Sequence, residues 1–343
     1  MKIAYLASIK SRHDGVSRKI QIQMHEWKRL GHDVRSFFMT RSPHPVFFTY
    51  RLWSRFNLFN PCFSIVYSLW KYKPDVIYMR EDNLIILRIF LLLLFKNIVI
   101  EINSYDKEEN KILKTSTIKK ISFNIINYIN KISYKNALGL IFVTYELRNF
   151  AEYSNCKHSA IIPNTRSDTK SIKKRSTSYN KRINLFFLGS PNQPWHGIDK
   201  MISIAKKLDE KIELHLIGPS PQDIKQFSPS KNITAYGFLS DYKKIIAKCH
   251  IAICTLALYR KKMNEACPLK TREYLESGFP IIIGYKDTSF LHNNYDFILQ
   301  LENSENSIND NSIKRIYDFC LRQYNHIVSS EEIISLLPPP LKN

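Results

Sequence analysis

Two carboxylates, Glu265 and Glu273, stand around the start of a short helix in the stretch EACPLKTREYLESGFPIII, residues 265–283. Pro268 suits a first helical position, Leu269 to Ser277 read as helix, and Gly278 suits its end. Ile281 to Ile283 follow as a buried β run. The start of such a helix offers unpaired backbone N–H groups and the positive end of a dipole, where a phosphate is stabilised. Glu265, on the loop before it, can accept hydrogen bonds from hydroxyl groups, and Lys270 is the basic residue closest to the helix start. Acids near a helix start also suit its dipole without any function, which is the plainer reading of the pair. Packing alone gives no reason for the two to be there.

The elements that would position these residues come in two series. Strand 2–7 leads through SIKSRHDGVSR into a helix over 17–30 ended by Gly31, then the strand HDVRSFFM, with DVIYMR (75–80), NIVIEI (97–102) and GLIFVT (139–144) later. The pattern restarts with a strand at 183–190, a helix at 197–209 and a strand at 212–218. A short strand at 233–238, a helix at 240–249 and strands at 251–257 and 280–285 follow. Alternation of this kind predicts an α/β fold of two Rossmann-like, doubly wound parallel-sheet domains facing a central cleft at the carboxyl ends of the strands. The expected division is an N-terminal domain over 1–165, a polar, aperiodic linker over 166–181, a C-terminal domain over 182–310 and a helical tail over 311–343.

Composition narrows the chemistry. The 343 residues carry 51 Lys and Arg against 30 Asp and Glu, a formal charge of +21, which points to anionic partners or to a solvated Lys-rich surface. The six cysteines form no CxxC pair, which excludes a disulfide framework or zinc site of that kind and fits a reducing cytoplasm. Neither a GxGxxG after the first strand nor a GxxxxGK[ST] loop nor a GxSxG elbow is present. DxD is absent as well, so no metal site is expected. LIILRIFLLLLFKNIVI, 84–100, is interrupted by Arg88 and Lys96 and divides into a helix (84–95) and a strand (97–102) rather than a span of ~20 apolar residues.

With two such domains and this C-terminal stretch, the chain resembles the retaining glycosyltransferases of the GT-B fold, the group 1 family. The resemblance rests on Glu265 and Glu273 separated by seven residues, on EYL and SGFPIII in order, and on LFFLGS…WHGIDKMISIAKKL, LHLIGPS and ITAYGFLSDYKKIIAKCHIAI upstream. IIPNT at 161–165 looks like the family's ending of the first domain. It implies a nucleotide-sugar donor as substrate, no cofactor, and transfer without a metal. It makes Glu265 and His13 the catalytic candidates, with no residue assigned as a general base. Donor-binding candidates are Gly15, Gly189, Ser190, His196, Gly218, Gly237, Phe238, Pro268, Leu269, Lys270 and Glu273, the last on the ribose hydroxyls. Asp14, Arg80 and Asn103 are acceptor-side candidates, though Arg80 reads equally well as an ion pair with Glu81 or Glu101. The diphosphate is expected between Gly15 and the helix start.

The sequence departs from the family at two places. His196 stands just before Gly197 where a lysine is common, so either His196 or Lys270 with YRKK (259–262) meets the diphosphate. The first loop has Gly15 alone where relatives often have two glycines. On the acceptor side, 45–73 mixes aromatic with basic residues, and 116–136 reads as a helix with the stripe Ile118, Ile121, Ile125, Ile129 and Ile132 opposite Lys120, Asn124, Asn127 and Lys131. That helix is either packed into a core, the commoner case, or laid on an anionic membrane surface. The expected function is extension of a glycan, lipid-linked, for capsule, O-antigen or exopolysaccharide, by a cytoplasmic enzyme at the inner face of the plasma membrane. The alternatives are a GT-B enzyme glycosylating nucleic acid, the less favoured partner, and a non-catalytic binding protein of the same fold.

Overall fold

The computed structural model describes residues 1–9, 15–40, 49–51, 59–81, 85–113, 117–164, 182–239, 241–291 and 294–325. The expected linker 166–181, the tail beyond 325 and most of 45–58 lie outside them. The chain divides into two compact units, residues 1–164 and 165–342.

The first unit runs β1 (Lys2–Ile9), α1 (Gly15–Arg29), β2 (Asp33–Thr40), β3 (Thr49–Arg51), α2 (Phe59–Tyr72), β4 (Val76–Arg80), α3 (Ile85–Leu94) and β5 (Ile98–Ile102). It continues with α4 (Asp106–Leu113), α5 (Thr117–Asn136), β6 (Gly139–Phe142), α6 (Tyr145–Arg148) and β7 (Ser159–Ile161). Its seven strands stand in the order β3-β2-β1-β4-β5-β6-β7, every pair parallel. Period-2 alternation decides which side chains meet which helix. Ile3, Tyr5 and Ala7 of β1 pack with Ile20 and Met24 of α1. Phe37 of β2 points the other way, 5.8 Å between ring centroids from Tyr72 of α2. Helix α2 therefore covers the face opposite α1. Right-handed crossovers from β4 to β5 and from β5 to β6 carry α3 and α5 over that same face.

The second unit runs β8 (Ile183–Leu188), α7 (Ile198–Lys207), β9 (Ile212–Ile217), α8 (Pro221–Ile224), β10 (Ile233–Ala235), α9 (Lys243–Ile246), β11 (Ile251–Ile253) and β12 (Glu265–Ala266). It continues with α10 (Leu269–Glu276), β13 (Ile281–Ile283), β14 (Lys286–Asp287), β15 (Ile298–Gln300) and α11 (Asp310–Asn325). Six parallel strands stand in the order β10-β9-β8-β11-β13-β15, with β12 and β14 paired separately. Register runs from Ile183 opposite Ile212 to Leu188 opposite Ile217. Leu185, Phe187, Leu214, Leu216, Ile251 and Ile253 are among the buried apolar residues of its core.

Several expected elements are shorter in the structure. The strand expected over 251–257 ends at Ile253; Cys254 N–H still donates to Ile282 O and Thr255 O still accepts from Gly284 N–H, and the chain leaves β13 after them. Leu256 N–H donates to His196 O and Ala257 N–H to Trp195 O, so the chain turns toward the segment before α7. The strand expected over 233–238 ends at Ala235, where Gly237 takes a positive φ of 69°. The helix expected over 240–249 is reduced to Lys243–Ile246.

The carboxyl ends of β8 and β9 approach until backbone touches backbone. A Cβ on Gly218 would lie 1.8 Å from the carbonyl oxygen of Gly189, and Gly218 has φ +111°. Its N–H donates to Gly237 O at 2.8 Å, while Gly189 N–H donates to Ile217 O at 3.0 Å. Gly218→Ala should therefore destabilise the second unit by about 2–4 kcal/mol through overpacking and strain. Urea unfolding of that unit checks this, and an unchanged midpoint would contradict the close approach.

Candidate functional site

Helix α10 begins one residue later than the sequence suggests. Pro268 holds φ −72° and ψ 141°, an extended conformation, and so precedes the helix as its N-cap, with Leu269 the first helical residue. The helix is fastened to the end of β8. The Tyr274 hydroxyl accepts from Leu188 N–H at 3.0 Å, and Lys270 Nζ donates to Leu188 O at 2.8 Å. The ammonium also lies 4.8 Å from the centroid of the Phe187 ring. Burial pushes its pKa down from the ordinary lysine range to about 8.

His196 joins the same cluster. Its ring is buried, edge-on to Phe187 at 5.1 Å, with Nδ1 lacking a hydrogen-bond partner. Burial, and then the Lys270 charge, hold its pKa well below the usual imidazole value, so it is neutral at pH 7. Gly189 leaves the room for this arrangement, since a Cβ there would lie 2.3 Å from Phe187 Cζ and 3.1 Å from His196 Cε1. Gly189, exposed Ser190, His196 and Lys270 thus share the carboxyl end of β8, and Gly218 and Gly237 are tied to it through the glycine contacts described above. Phe238, next to Gly237, is 90% exposed.

The two glutamates are positioned by residues that the sequence did not single out. Glu265 is buried, and its Oε1 accepts from Thr288 Oγ1 at 2.8 Å. Its strand β12 pairs with β14 through Glu265–Lys286 and Ala266–Asp287. Beneath them Arg272 of α10 forms a buried ion pair with Asp287, donates to Cys267 Sγ at 3.3 Å and covers the Phe290 ring. Glu273 is half-buried, and its Oε1 accepts from Tyr242 Oη at 3.1 Å.

The YRKK run is tied to the segment before α7. Arg260 makes a two-pronged pair with Asp199, at 2.9 and 2.7 Å, and also donates to Pro194 O. Lys261 lies 4.9 Å from the Trp195 ring centroid. Both residues brace the segment that carries His196. The Asp199 carboxylate compensates the Arg260 guanidinium in this structure.

In the first unit, His13 and Asp14 lie outside the described residues, and Gly15 opens α1. Arg80 takes the ion-pair role. Its Nη1 donates to Glu101 Oε1 at 3.1 Å and to Asn103 Oδ1 at 3.0 Å, whereas Glu81 accepts from Tyr134. Lys19 also pairs with Glu101, and Tyr78 Oη donates to its Oε2 at 2.7 Å. The structure thus joins Arg80 to Asn103, with Glu101 as the residue that sequence reasoning had placed only in an alternative role.

Comparison with known proteins bears on the fold and on the second unit. Residues 182–299 match the family model described as Glycosyl transferases group 1. Across the chain the fold is that of sucrose-phosphate synthase (tll1590) from Thermosynechococcus elongatus, at 14% identity and a TM-score of 0.64, covering 97% of this chain and 96% of that one. Anabaena Alr3699/HepE, solved in complex with UDP and glucose, is 12% identical with a TM-score of 0.62, covering 98% and 94%. An alpha-glucosyltransferase in complex with UDP-glucose and DNA containing an abasic site is 12% identical with a TM-score of 0.64, over the same shares. No curated protein matches the chain. The match to the group 1 glycosyltransferase model thus lies within the second unit, and the fold is GT-B, as the resemblance implied.

The Arg80–Glu101–Lys19 cluster makes a pH prediction. Burial alone would raise the Glu101 pKa, but the charges of Lys19 and Arg80 overcome it and hold it at about 2. The folded value lies below the unfolded one, so the cluster's stabilisation is present above about pH 4.5 and lost as pH falls toward about 2. Glu101→Gln should cost roughly 3–5 kcal/mol at neutral pH by leaving buried cations unpaired. The gap from wild type should close as pH falls, as read by hydrogen exchange of β4 and β5 amides. A gap independent of pH would contradict the assignment.

Proposed function

We propose that the protein is a retaining, metal-independent hexosyltransferase. It moves a sugar from a nucleotide-sugar donor to a lipid-linked glycan acceptor at the cytoplasmic face of the plasma membrane, in the building of capsule, O-antigen or exopolysaccharide. One observation carries the donor half of this reading: a partly desolvated Lys270 ammonium and the start of α10, fastened together onto the end of β8 beside neutral His196. Helix N–H groups contribute about 1–2 kcal/mol to an anion, so a fixed cation adds what a departing diphosphate needs. Glu265 accepts from sugar hydroxyls and Glu273 from the ribose, each already held by a neighbouring hydroxyl, Thr288 and Tyr242. The group 1 family match over 182–299 and the UDP and glucose bound by Anabaena HepE support the same donor class.

The reaction is one of positioning. The bond from the sugar's anomeric carbon to the β-phosphate oxygen breaks, the acceptor oxygen bonds to that carbon on the same face, and the departing nucleoside diphosphate takes the acceptor's proton. The protein orients the donor and stabilises charge developing on the diphosphate.

Nucleic acid is the competing acceptor, favoured by the charge of +21 and by the similar alpha-glucosyltransferase solved with DNA. Salt-sensitive retention on DNA together with transfer to it would establish that reading in place of the lipid-linked glycan.

Glu265→Ala and Glu273→Ala should each lower transfer about ten- to hundredfold, the loss of ~1.5–3 kcal/mol from one charged hydrogen bond, with the fold intact by circular dichroism. Near-normal turnover in both would remove them from the site. Lys270→Ala should weaken nucleoside diphosphate binding more than nucleoside binding in calorimetry, and transfer should persist in EDTA. Equal loss for both ligands, or strict dependence on a divalent ion, would overturn this arrangement.

A further inference from the structure

The first unit leaves an unusual surface on the face that carries α2, α3 and α5. Helix α2 presents Phe63, Tyr67 and Trp70 to solvent, each more than 60% exposed. Their spacing puts them on one stripe, opposite the buried Ile65, Leu69 and Tyr72. Helix α3 does the same with Phe90, Leu93 and Leu94, while Leu87 and Leu91 face inward. Helix α5 exposes Ile125, Tyr128 and Ile132, so this part of the isoleucine stripe is turned outward rather than packed in a core. Three neighbouring crossovers on one face of a parallel sheet therefore share an outward apolar stripe, two of them, α3 and α5, in direct contact. A monomer whose function ends at its substrate site has no use for so much exposed aromatic and aliphatic surface on one face.

Charge says what covers it. None of the three helices contains a single Asp or Glu. Exposed lysines gather at one end of them: Lys71 and Lys73 at the end of α2, Lys96 just after α3, Lys131 and Lys135 in the last turns of α5. Helices that return between parallel strands run antiparallel to them, so these ends all lie along the edge where β4, β5 and β6 begin. Lysines, a tryptophan and tyrosines beside aliphatic side chains are what a bilayer's headgroup region accommodates. No helix among the described residues is long and apolar enough to cross a membrane.

We propose that the α2–α3–α5 face is a docking surface for an anionic lipid bilayer, entered by Trp70, Leu93 and Tyr128 and held by Lys71, Lys96, Lys131 and Lys135. The binding is interfacial: side chains enter the headgroup region while the helices stay on the surface. A second copy of this chain fits the surface poorly, since two such faces would oppose lysine to lysine with no acid on any of the three helices to separate them. The proposal deepens the lipid-linked acceptor reading, because a protein held at the bilayer meets such an acceptor in two dimensions. Arg80 and Asn103 lie at the opposite, carboxyl ends of the strands, so changes on this surface leave them untouched.

The test uses the full chain and three proteins: wild type, Trp70→Ser/Leu93→Ser/Tyr128→Ser, and Lys71→Glu/Lys131→Glu/Lys135→Glu. Wild type should sediment with phosphatidylglycerol–phosphatidylcholine vesicles and far less with phosphatidylcholine alone. Each variant should lose about tenfold or more of that binding. Brominated lipid should quench wild-type tryptophan fluorescence, and Trp70→Phe should lose most of the quenching while still sedimenting. Nucleoside diphosphate affinity should be the same in all. Wild type that ignores anionic vesicles, or variants that bind them as well as wild type, would overturn the proposal. So would a concentration-dependent dimer that the serine variant abolishes, which would assign the face to a second copy. A vesicle-bound protein with no affinity for nucleoside diphosphate would keep the surface and refute the donor reading instead.

Discussion

The candidate site depends on how α10 is fastened to the end of β8. Leu188 is the receiving point: its N–H goes to the Tyr274 hydroxyl and its carbonyl takes the Lys270 ammonium. That single residue fixes the rotation of α10 about its own axis, because Lys270 and Tyr274 lie four apart and so on one face. With that face turned to β8, Arg272 points to the opposite side and finds Asp287, and Glu273 is left where Tyr242 reaches it. The glycines follow from the same constraint. Only a bare backbone at Gly189 lets Phe187 and His196 close around the lysine, and only one at Gly218 lets β9 end beside Gly189.

The electrostatics are arranged around keeping one positive charge where it is poorly solvated. Three neighbouring basic side chains are compensated or neutral, Arg260 by Asp199, Arg272 by Asp287, and His196 by losing its proton, while Lys261 lies against the Trp195 ring. The direct contacts of Lys270 are a carbonyl oxygen and an aromatic face, and the attraction of the Glu273 carboxylate, further along α10, does not offset its burial. A lysine in that condition gains more from an arriving anion than one already paired. The first unit uses the opposite arrangement, in which Glu101 is saturated by Lys19, Arg80 and Tyr78 and acts as a buried anchor.

Much of this was legible in the sequence, and the reasons for the rest are physical. The alternation of strands and helices gave both parallel sheets, because period 2 and period 3.6 are written locally. The Glu265–Glu273 spacing with Pro268 between them located the helix start to within one residue. Residues 254–257 misled, since Cys254, Leu256 and Ala257 continue the apolar run of the strand and only the tertiary bonds to Trp195 and His196 turn the chain away. The Arg272–Asp287 pair was invisible because it requires β12 and β14 to be paired first. The isoleucines of α5 were left between core packing and an anionic membrane surface. Periodicity fixes which residues share a stripe, but whether the stripe faces the sheet or solvent is decided by Ser133, Tyr134 and Ala137, which face inward.

The central claim is that Lys270 is a desolvated cation waiting for a diphosphate. It is tested most directly by following the Lys270 side-chain ammonium by nuclear magnetic resonance through a pH titration, with and without nucleoside diphosphate. The account predicts a midpoint near the value of about 8 set by burial in the free protein, and a clear rise when nucleoside diphosphate binds, with no such rise for the nucleoside. An ordinary lysine midpoint in the free protein, or one that nucleoside diphosphate leaves unmoved, would contradict it.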